Sequence, residues 1–192
     1  MGFSNGIIAI KGDHLKRAEE IFKIFNYVDL KKDTAYHSWD QASEYLFENY
    51  FDLANKEIAL RAIWTDNDWT MICDPELVDP TEDAKLENLS EFLNTEIWTF
   101  IVQTSSESYS FTKFDGRKVR SFFVSNGKVL ENSGNSLPQE KGFNINEKFC
   151  IGEISAISKS LDININPERP GNFIVKELGF DDALKAELAN LK

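Results

Sequence analysis

The side chains that most often perform acid–base or metal chemistry are few in this sequence, and their spacing does not suit that chemistry. The chain has two histidines, His14 and His37, and two cysteines, Cys73 and Cys150, and neither pair shows an H-x-x-x-H or C-x-x-C spacing. Zinc sites are usually built from such pairs, and proton transfer near neutral pH usually recruits histidine. Local motifs therefore predict no metal site, no cofactor and no catalytic residue.

Acidic residues, in contrast, are numerous and unevenly distributed. The 192 residues include 21 lysines and arginines and 32 aspartates and glutamates, which gives a formal net charge of −11. Eight acids and one base, Lys85, lie between Asp74 and Glu96, so this stretch has a charge of −7. Such a surface attracts a basic partner over long distances and repels the phosphates of nucleic acids. The sequence therefore favours a basic protein partner and argues against nucleic acid.

We predict that the acidic region 66–96 forms the contact surface. Two tryptophans, Trp64 and Trp69, flank a turn beside it, and an exposed tryptophan is a common interface anchor. Two other interpretations stay open: an ordinary solvated helix face, and pairing with the basic segment 113–128 within one chain or between two copies in a homo-oligomer. The predicted partner-binding residues are Asp66, Asp68, Trp69, Asp74, Glu76, Asp79, Glu82, Asp83, Glu87 and Glu91.

The elements that position these residues form an α+β pattern with a mainly antiparallel sheet. A hairpin is predicted over 57–74, where apolar residues alternate on both sides of a polar turn. A meander is predicted over 107–131, because Asp115-Gly116 and Asn126-Gly127 are the dipeptides that favour type I′ hairpin turns. These turns place Phe114 opposite Arg117 and Val124 opposite Val129. One face of the meander then carries Tyr109, Phe111, Phe122, Val124 and Val129, while Lys113, Lys118 and Arg120 share a face near one hairpin tip.

About four helices pack on this sheet. Apolar residues at helical spacing predict helices after Asp13, over 38–51, over 81–94 and over 146–161. Strands are also predicted over 6–11 and 96–104. The segment 162–172 has the composition of a linker, and a short edge strand at 173–175 and a terminal helix that begins near Asp181 follow it.

Length and composition predict a single soluble domain that spans residues 1–192. The hydrophobic fraction of 42% is too high for a disordered chain. No apolar stretch approaches the roughly 18–20 residues that a membrane helix needs. We expect a cytoplasmic protein, because no basic leader with an apolar core stands at the N-terminus.

These features together favour a non-enzymatic interaction protein that uses an acidic surface to bind a basic partner. In size, acidity and α+β build the chain is similar to bacterial immunity and inhibitor proteins that neutralise basic toxins. This resemblance is one of type and assigns no binding residues. The alternative is an enzyme or small-molecule-binding protein with a cleft between the sheet and its helices, in which Glu107, Glu131 or Glu140 acts with His37.

Overall fold

A computed structural model describes residues 4–142, 149–167 and 170–190. Within these residues the chain forms one antiparallel sheet of nine strands, in the order β2-β9-β3-β4-β1-β5-β6-β7-β8. The strands are β1 Ser4–Lys11, β2 Tyr27–Tyr36, β3 Ile58–Asp66, β4 Trp69–Asp74, β5 Glu96–Gln103, β6 Ser108–Asp115, β7 Lys118–Ser125, β8 Lys128–Gly134 and β9 Phe173–Phe180.

Helices cover both faces of this sheet, which confirms the predicted α+β class. The described residues contain five α-helices, one more than the main helices predicted, because the short terminal helix is also formed. They are α1 Ala18–Ile24, α2 Trp39–Ala54, α3 Asp83–Leu93, α4 Ile151–Ser160 and α5 Asp182–Ala189. The predicted helix over 146–161 begins partly outside the described residues.

Each face of the sheet has its own hydrophobic core because apolar side chains occupy both sides of the central strands. Leu60, Ala62 and Trp64 of β3 belong to the core under α2 and α4, as the alternation in this strand predicts. Ile63 of β3 and Ile72 of β4 belong to the second core, under α1 and α3. We refer to the two sides as the α2/α4 face and the α1/α3 face.

The meander is confirmed, but its first turn differs from the prediction. At the second turn, Asn126 and Gly127 both have positive φ, and Val124 pairs with Val129 as expected. At the first turn only Gly116 has positive φ, and Phe114 pairs with Lys118 across a β-bulge instead of with Arg117. The bulge inserts an extra residue into β7 and shifts the register.

The shifted register moves Lys118 to the opposite face from Lys113 and Arg120, with which we expected it to share a face. Arg120 pairs with Lys113, and its guanidinium lies 5.7 Å from the Phe111 ring on the α2/α4 face. Lys118 pairs with Phe114 and forms an ion pair with Asp83, which begins α3 on the opposite face. The basic patch predicted at this hairpin tip is therefore wrong.

The other edge of the sheet also differs from the prediction. The segment 173–175 belongs to a longer strand, β9, which is an interior strand because β2 pairs with its outer side. Strand β2 has no counterpart in the sequence prediction. The linker-like segment 162–172 has no regular secondary structure among its described residues, yet Ile163 within it is buried in the α2/α4 core.

None of the helices formed by the described residues is long and apolar enough to cross a membrane.

Candidate functional site

Three of the ten predicted partner-binding residues are buried and therefore cannot form a contact surface. Trp69 is 2% exposed, and its indole nitrogen donates to the Leu161 carbonyl over 2.9 Å. Asp74 has no exposed surface and Asp79 is 2% exposed. The expectation of surface positions is wrong for these three, because Trp69 packs in the α2/α4 core and the two aspartates turn inward to Arg61.

The two buried aspartates belong to an ionic cluster around Arg61, a fully buried residue of β3. The Arg61 Nε donates to Asp79 Oδ2 over 2.6 Å, and Nη1 lies 2.7 Å from Glu76 Oε2 and 3.1 Å from Asp74 Oδ1. The Tyr27 hydroxyl completes the cluster: it accepts from Arg61 Nη2 and donates to Asp79 Oδ1. One guanidinium thus serves three carboxylates, and the cluster fixes the chain after β4 against the sheet.

Asp74 also organises the backbone of that segment. Its two carboxylate oxygens accept from the amides of Glu76, Val78 and Asp79, each over 2.8 Å. Burial raises the pKa of the Asp74 carboxyl to about 7, with Arg61 lowering it and Asp79 raising it further. Burial would lower the pKa of Arg61, but the two aspartates hold it well above its ordinary value, so the guanidinium stays charged.

Most of the remaining predicted acids are paired with bases of the same chain. Asp68 pairs with Lys11 over 3.1 Å, and Glu82 pairs with Lys85 over 3.2 Å. Two further acids bond to Lys118 from the first half of α3. There Asp83 pairs with the Lys118 ammonium, and Glu87 Oε1 accepts from the Lys118 backbone amide over 2.7 Å.

Asp66 and Glu91 are the two predicted residues that are not buried and whose side chains form no hydrogen bond or ion pair with another described residue, and Asp66 is half-buried. The region 66–96 is thus acidic in sequence, but most of its carboxylates form ion pairs with Arg61, Lys118, Lys85 and Lys11. The structure therefore engages within the chain most of the carboxylates on which the predicted surface depended.

A different acidic surface lies on the outer side of α2. Asp40, Glu44, Glu48 and Asp52 recur every fourth residue, and all four side chains are exposed. None of them forms an ion pair with another described residue. The stripe is about 18 Å long at a rise of 1.5 Å per residue. We call these four residues the α2 stripe.

An aromatic side chain stands beside the α2 stripe. Phe51 is 67% exposed, the largest exposed fraction among the exposed apolar residues of the described chain. The opposite side of α2 packs on the sheet through Trp39, Ala42 and Leu46. The helix therefore presents an apolar inner side to the core and an acidic outer side with one exposed ring to solvent.

The α2 stripe is unfavourable for the helix that carries it. Like charges at i,i+4 spacing destabilise a helix by roughly 0.2–0.5 kcal/mol per pair. Asp52 adds a negative charge near the C-terminal end, where the helix dipole favours cations, and no base lies in the last turn. The sequence contains the signal for this surface, since α2 has acids at every fourth position from Asp40 to Asp52 and no lysine or arginine.

The residues of the enzyme alternative do not come together. His37 is exposed at the end of β2, on one edge of the sheet, whereas Glu131 lies in β8 on the other edge. Glu140 is buried in a bidentate pair with Arg120, at 2.9 and 2.8 Å. Glu107 is exposed at the turn before β6. These four residues therefore cannot share one reaction centre.

A cleft between the sheet and a helical segment does exist. It lies on the α1/α3 face, between the segment 77–83 and strands β5–β8, and its volume is about 410 Å³. Within the described residues no three histidine, cysteine or acidic side chains are arranged to hold a metal ion.

The fold and these surfaces define an α+β protein with a wide antiparallel sheet covered by helices on both faces. Comparisons with protein-family models, with curated proteins and with solved structures find no match for this chain. The functional argument therefore rests on the side chains and surfaces described above.

Proposed function

We propose that this protein is an interaction protein, rather than an enzyme, and that it binds a basic protein partner through the outer side of α2. The observation that carries this proposal is the α2 stripe, four exposed carboxylates that have no ionic partner among the described residues. An inhibitor or immunity-type role, with a basic toxin as the partner, is one form of this function.

Charge complementarity argues for a basic occupant. Unpaired carboxylates on one helix side steer a positively charged protein during encounter, and the effect weakens as salt screens it. Phe51 offers an apolar contact inside this field, and aromatic rings commonly supply the binding energy at the centre of an interface. The proposed surface replaces the predicted region 66–96, whose carboxylates are largely engaged within the chain.

The instability that the α2 stripe brings to its own helix supports the same proposal. Residues that reduce stability without a structural partner are frequent at functional surfaces, where activity and stability conflict. A basic partner would relieve the repulsion between Glu44 and Glu48, so part of its binding energy would come from this relief.

The test compares double charge reversals that change the net charge equally. Proteins captured by the wild-type chain from a lysate of the source organism are purified, and each is titrated against the wild type and the variants by calorimetry. We expect Glu44→Lys/Glu48→Lys to lower the affinity for the true partner about tenfold at low salt, which is a loss of about 1.4 kcal/mol in binding free energy. The salt dependence of its affinity should become shallower.

Two control variants separate this surface from net charge and from the predicted region. Asp115→Lys/Glu187→Lys reverses two exposed acids on other elements and should leave the affinity within about twofold of wild type. Asp66→Lys/Glu91→Lys reverses the two predicted residues that are neither buried nor ion-paired. The proposal fails if no captured protein distinguishes the wild type from the α2 variant, or if the controls weaken binding as much.

A further inference from the structure

The groove on the α1/α3 face arises where α3 ceases to cover the sheet. Ile97 of β5 and Phe114 of β6 lie in the core under α1 and α3. Further along the same strands, Ile101 and Ser110 line the groove instead, with Leu77 among the residues of the opposite wall. Along β6, the side chains change from apolar to hydroxyl-bearing at the point where α3 no longer covers the sheet.

Hydroxyl groups form the floor of this groove. Ser108, Ser110 and Thr112 alternate along β6, and Ser121 faces Thr112 from β7. Each of the four residues is at least nine-tenths buried, with exposed fractions between 3% and 8%. The floor is therefore a recessed row of neutral groups, each of which can both donate and accept a hydrogen bond.

One of these hydroxyls has no hydrogen-bond partner within the described chain. Thr112 Oγ1 lies 3.1 Å from Ser121 Oγ, and Ser108 Oγ lies 2.8 Å from Ser125 Oγ. Ser110, which is 7% exposed and stands between them in the row, makes no such bond among the described residues. The Ser110 hydroxyl is open to the groove, so its capacity to donate and to accept a hydrogen bond is available to a ligand at this point.

The charges at the groove are already balanced against one another. Lys118 bridges Asp83 on the wall and Glu131 on the floor, and the second contact is 3.1 Å long. Among the described residues, no lysine, arginine or histidine lines the groove itself. A phosphate or carboxylate would therefore meet two carboxylates and no unengaged cation, so an anionic ligand is disfavoured.

Apolar groups complete the lining. Phe123 is half-buried next to Ser110 across the β6–β7 pair, and Ile101 lies on the other side of Ser110 in β5. A ligand that presents hydroxyls along one side and C–H groups along another would match this alternation. The volume of about 410 Å³ lies at the small end of the range for ligand sites, roughly 300–1,000 Å³.

We propose that this groove binds a small neutral saccharide, with Ser110 and Thr112 as hydrogen-bonding residues and Phe123 as the apolar contact. Sugars offer the required combination of adjacent hydroxyls and an apolar ring face, and they carry no charge. The groove is open and its polar groups are few, so the affinity is expected to be weak. This site lies on the face opposite α2, so it is independent of the proposed partner surface.

The test is an NMR titration of the full chain labelled with ¹⁵N. The probes are glucose, galactose, mannose and N-acetylglucosamine, together with lactose, maltose, cellobiose and chitobiose. At least one sugar should produce saturable shifts at the amides of Ser110, Thr112, Ser121 and Phe123. Thr112→Val and Ser110→Ala should each lower the affinity for that sugar about three- to tenfold, because each removes one neutral hydrogen bond.

A matched substitution and two further probes make the result decisive. Thr34→Val changes an exposed threonine in β2, at the far edge of the sheet, and should leave sugar binding unchanged. Circular dichroism and thermal unfolding confirm that each variant is folded. The proposal is overturned if no sugar gives saturable shifts, or if Thr34→Val weakens binding as much as Thr112→Val. It is also overturned if only inorganic phosphate or an uncharged Ser/Gly/Gln hexapeptide shifts the floor amides.

Discussion

At the scale of single residues, the cluster around Arg61 shows how three acidic residues can be structural rather than functional. A buried arginine must be paired, because an isolated charge in a core is very costly. Arg61 lies in the middle of β3 and is bound by the side chains of Asp74, at the end of β4, and of Glu76 and Asp79 in the segment after it. These carboxylates hold that segment on the sheet and are unavailable to a partner.

The raised pKa of Asp74 makes the stability of the fold depend on pH in a defined interval. The carboxyl has a pKa of about 7 in the folded chain and an ordinary value of 3.8 when unfolded. Between pH 4 and 7 the folded state retains a proton that the unfolded chain has lost, so raising the pH in this interval lowers the free energy of unfolding. The slope of the unfolding free energy from this one group is at most about 1.4 kcal/mol per pH unit.

Comparison with Asp74→Asn isolates this contribution. The amide does not titrate, and its altered hydrogen bonds cause a stability change that does not vary with pH. Urea unfolding of both proteins at pH 4, 5, 6 and 7 should show the wild type losing stability relative to the variant as the pH rises. A constant difference across the four pH values would contradict the raised pKa.

The sequence contained one indication of this cluster that the prediction did not use. The alternation in the predicted hairpin places Leu60, Ala62 and Trp64 on one face, so Arg61 must point to the other. That other face is also buried, because Ile63 and Ile72 line a second core there. Acids such as Glu76 and Asp79, between Pro75 and Pro80, are typical of a solvated loop, and only the tertiary structure shows that they turn inward.

At the scale of elements, α2 was predicted well in extent and in its buried side. The helix begins after Ser38, whose hydroxyl accepts from the Gln41 amide as an N-cap, and it continues to Ala54. Ala42 and Leu46 are buried, as their helical spacing indicates. The acidic outer side follows from the same periodicity applied to charge rather than to hydrophobicity.

Reversing one charge in the middle of the α2 stripe should stabilise the protein. Glu48→Lys removes repulsion with Glu44 and Asp52 and replaces it with two attractive pairs at i,i+4 spacing. The free energy of unfolding should rise by about 1 kcal/mol at low ionic strength, and the gain should shrink in high salt. Urea unfolding at two salt concentrations measures it.

A reversal in α1 provides the opposite case. Glu20 accepts from Arg17 at 2.9 and 2.8 Å, so Glu20→Lys replaces an attractive pair by a repulsive one. This variant should be slightly destabilised, although its net charge changes by the same amount. Equal effects from the two substitutions would mean that overall charge, and not the α2 stripe, controls stability.

The first hairpin turn shows that a local dipeptide preference is not enough to predict the conformation of a turn. Asn-Gly and Asp-Gly both favour type I′ turns, yet only Asn126-Gly127 adopts the predicted pair of positive φ angles. At Asp115-Gly116 the turn lies beside α3, where the Gly116 amide donates to the Ser90 hydroxyl over 2.8 Å and the Lys118 amide donates to Glu87. These long-range bonds favour a bulged turn, and no dipeptide preference could reveal them.

At the scale of the whole molecule, the missed strand β2 explains why the sheet topology could not be predicted. Most of its ten residues are exposed, and a bulge between Asp29 and Lys32 interrupts the pairing, so it lacks the regular alternation that identifies a strand. Its position depends on β9, which is about 140 residues later in the chain. The sequence indicated the class of the fold, whereas the order of the strands depends on this long-range pairing.

The arrangement of β2, β9 and β3 predicts a sharp difference between two truncations. A chain that ends at residue 172 lacks β9, which leaves β2 without its strand partner and exposes the edge of β3. It also removes Phe173, Val175 and Leu178 from the two cores. Losing three large buried side chains and both ladders should abolish cooperative folding, since each such side chain contributes roughly 1.5–3 kcal/mol of burial.

A chain that ends at Phe180 loses only the terminal segment with α5. Within the described residues that helix has no buried residue, and it forms an exposed ion pair between Lys185 and Glu57. This truncation should keep a cooperative unfolding transition, at a cost of about 1–2 kcal/mol in unfolding free energy. Circular dichroism and urea unfolding distinguish the two. If both chains fold equally well, β9 is not the strand that holds this edge of the sheet together.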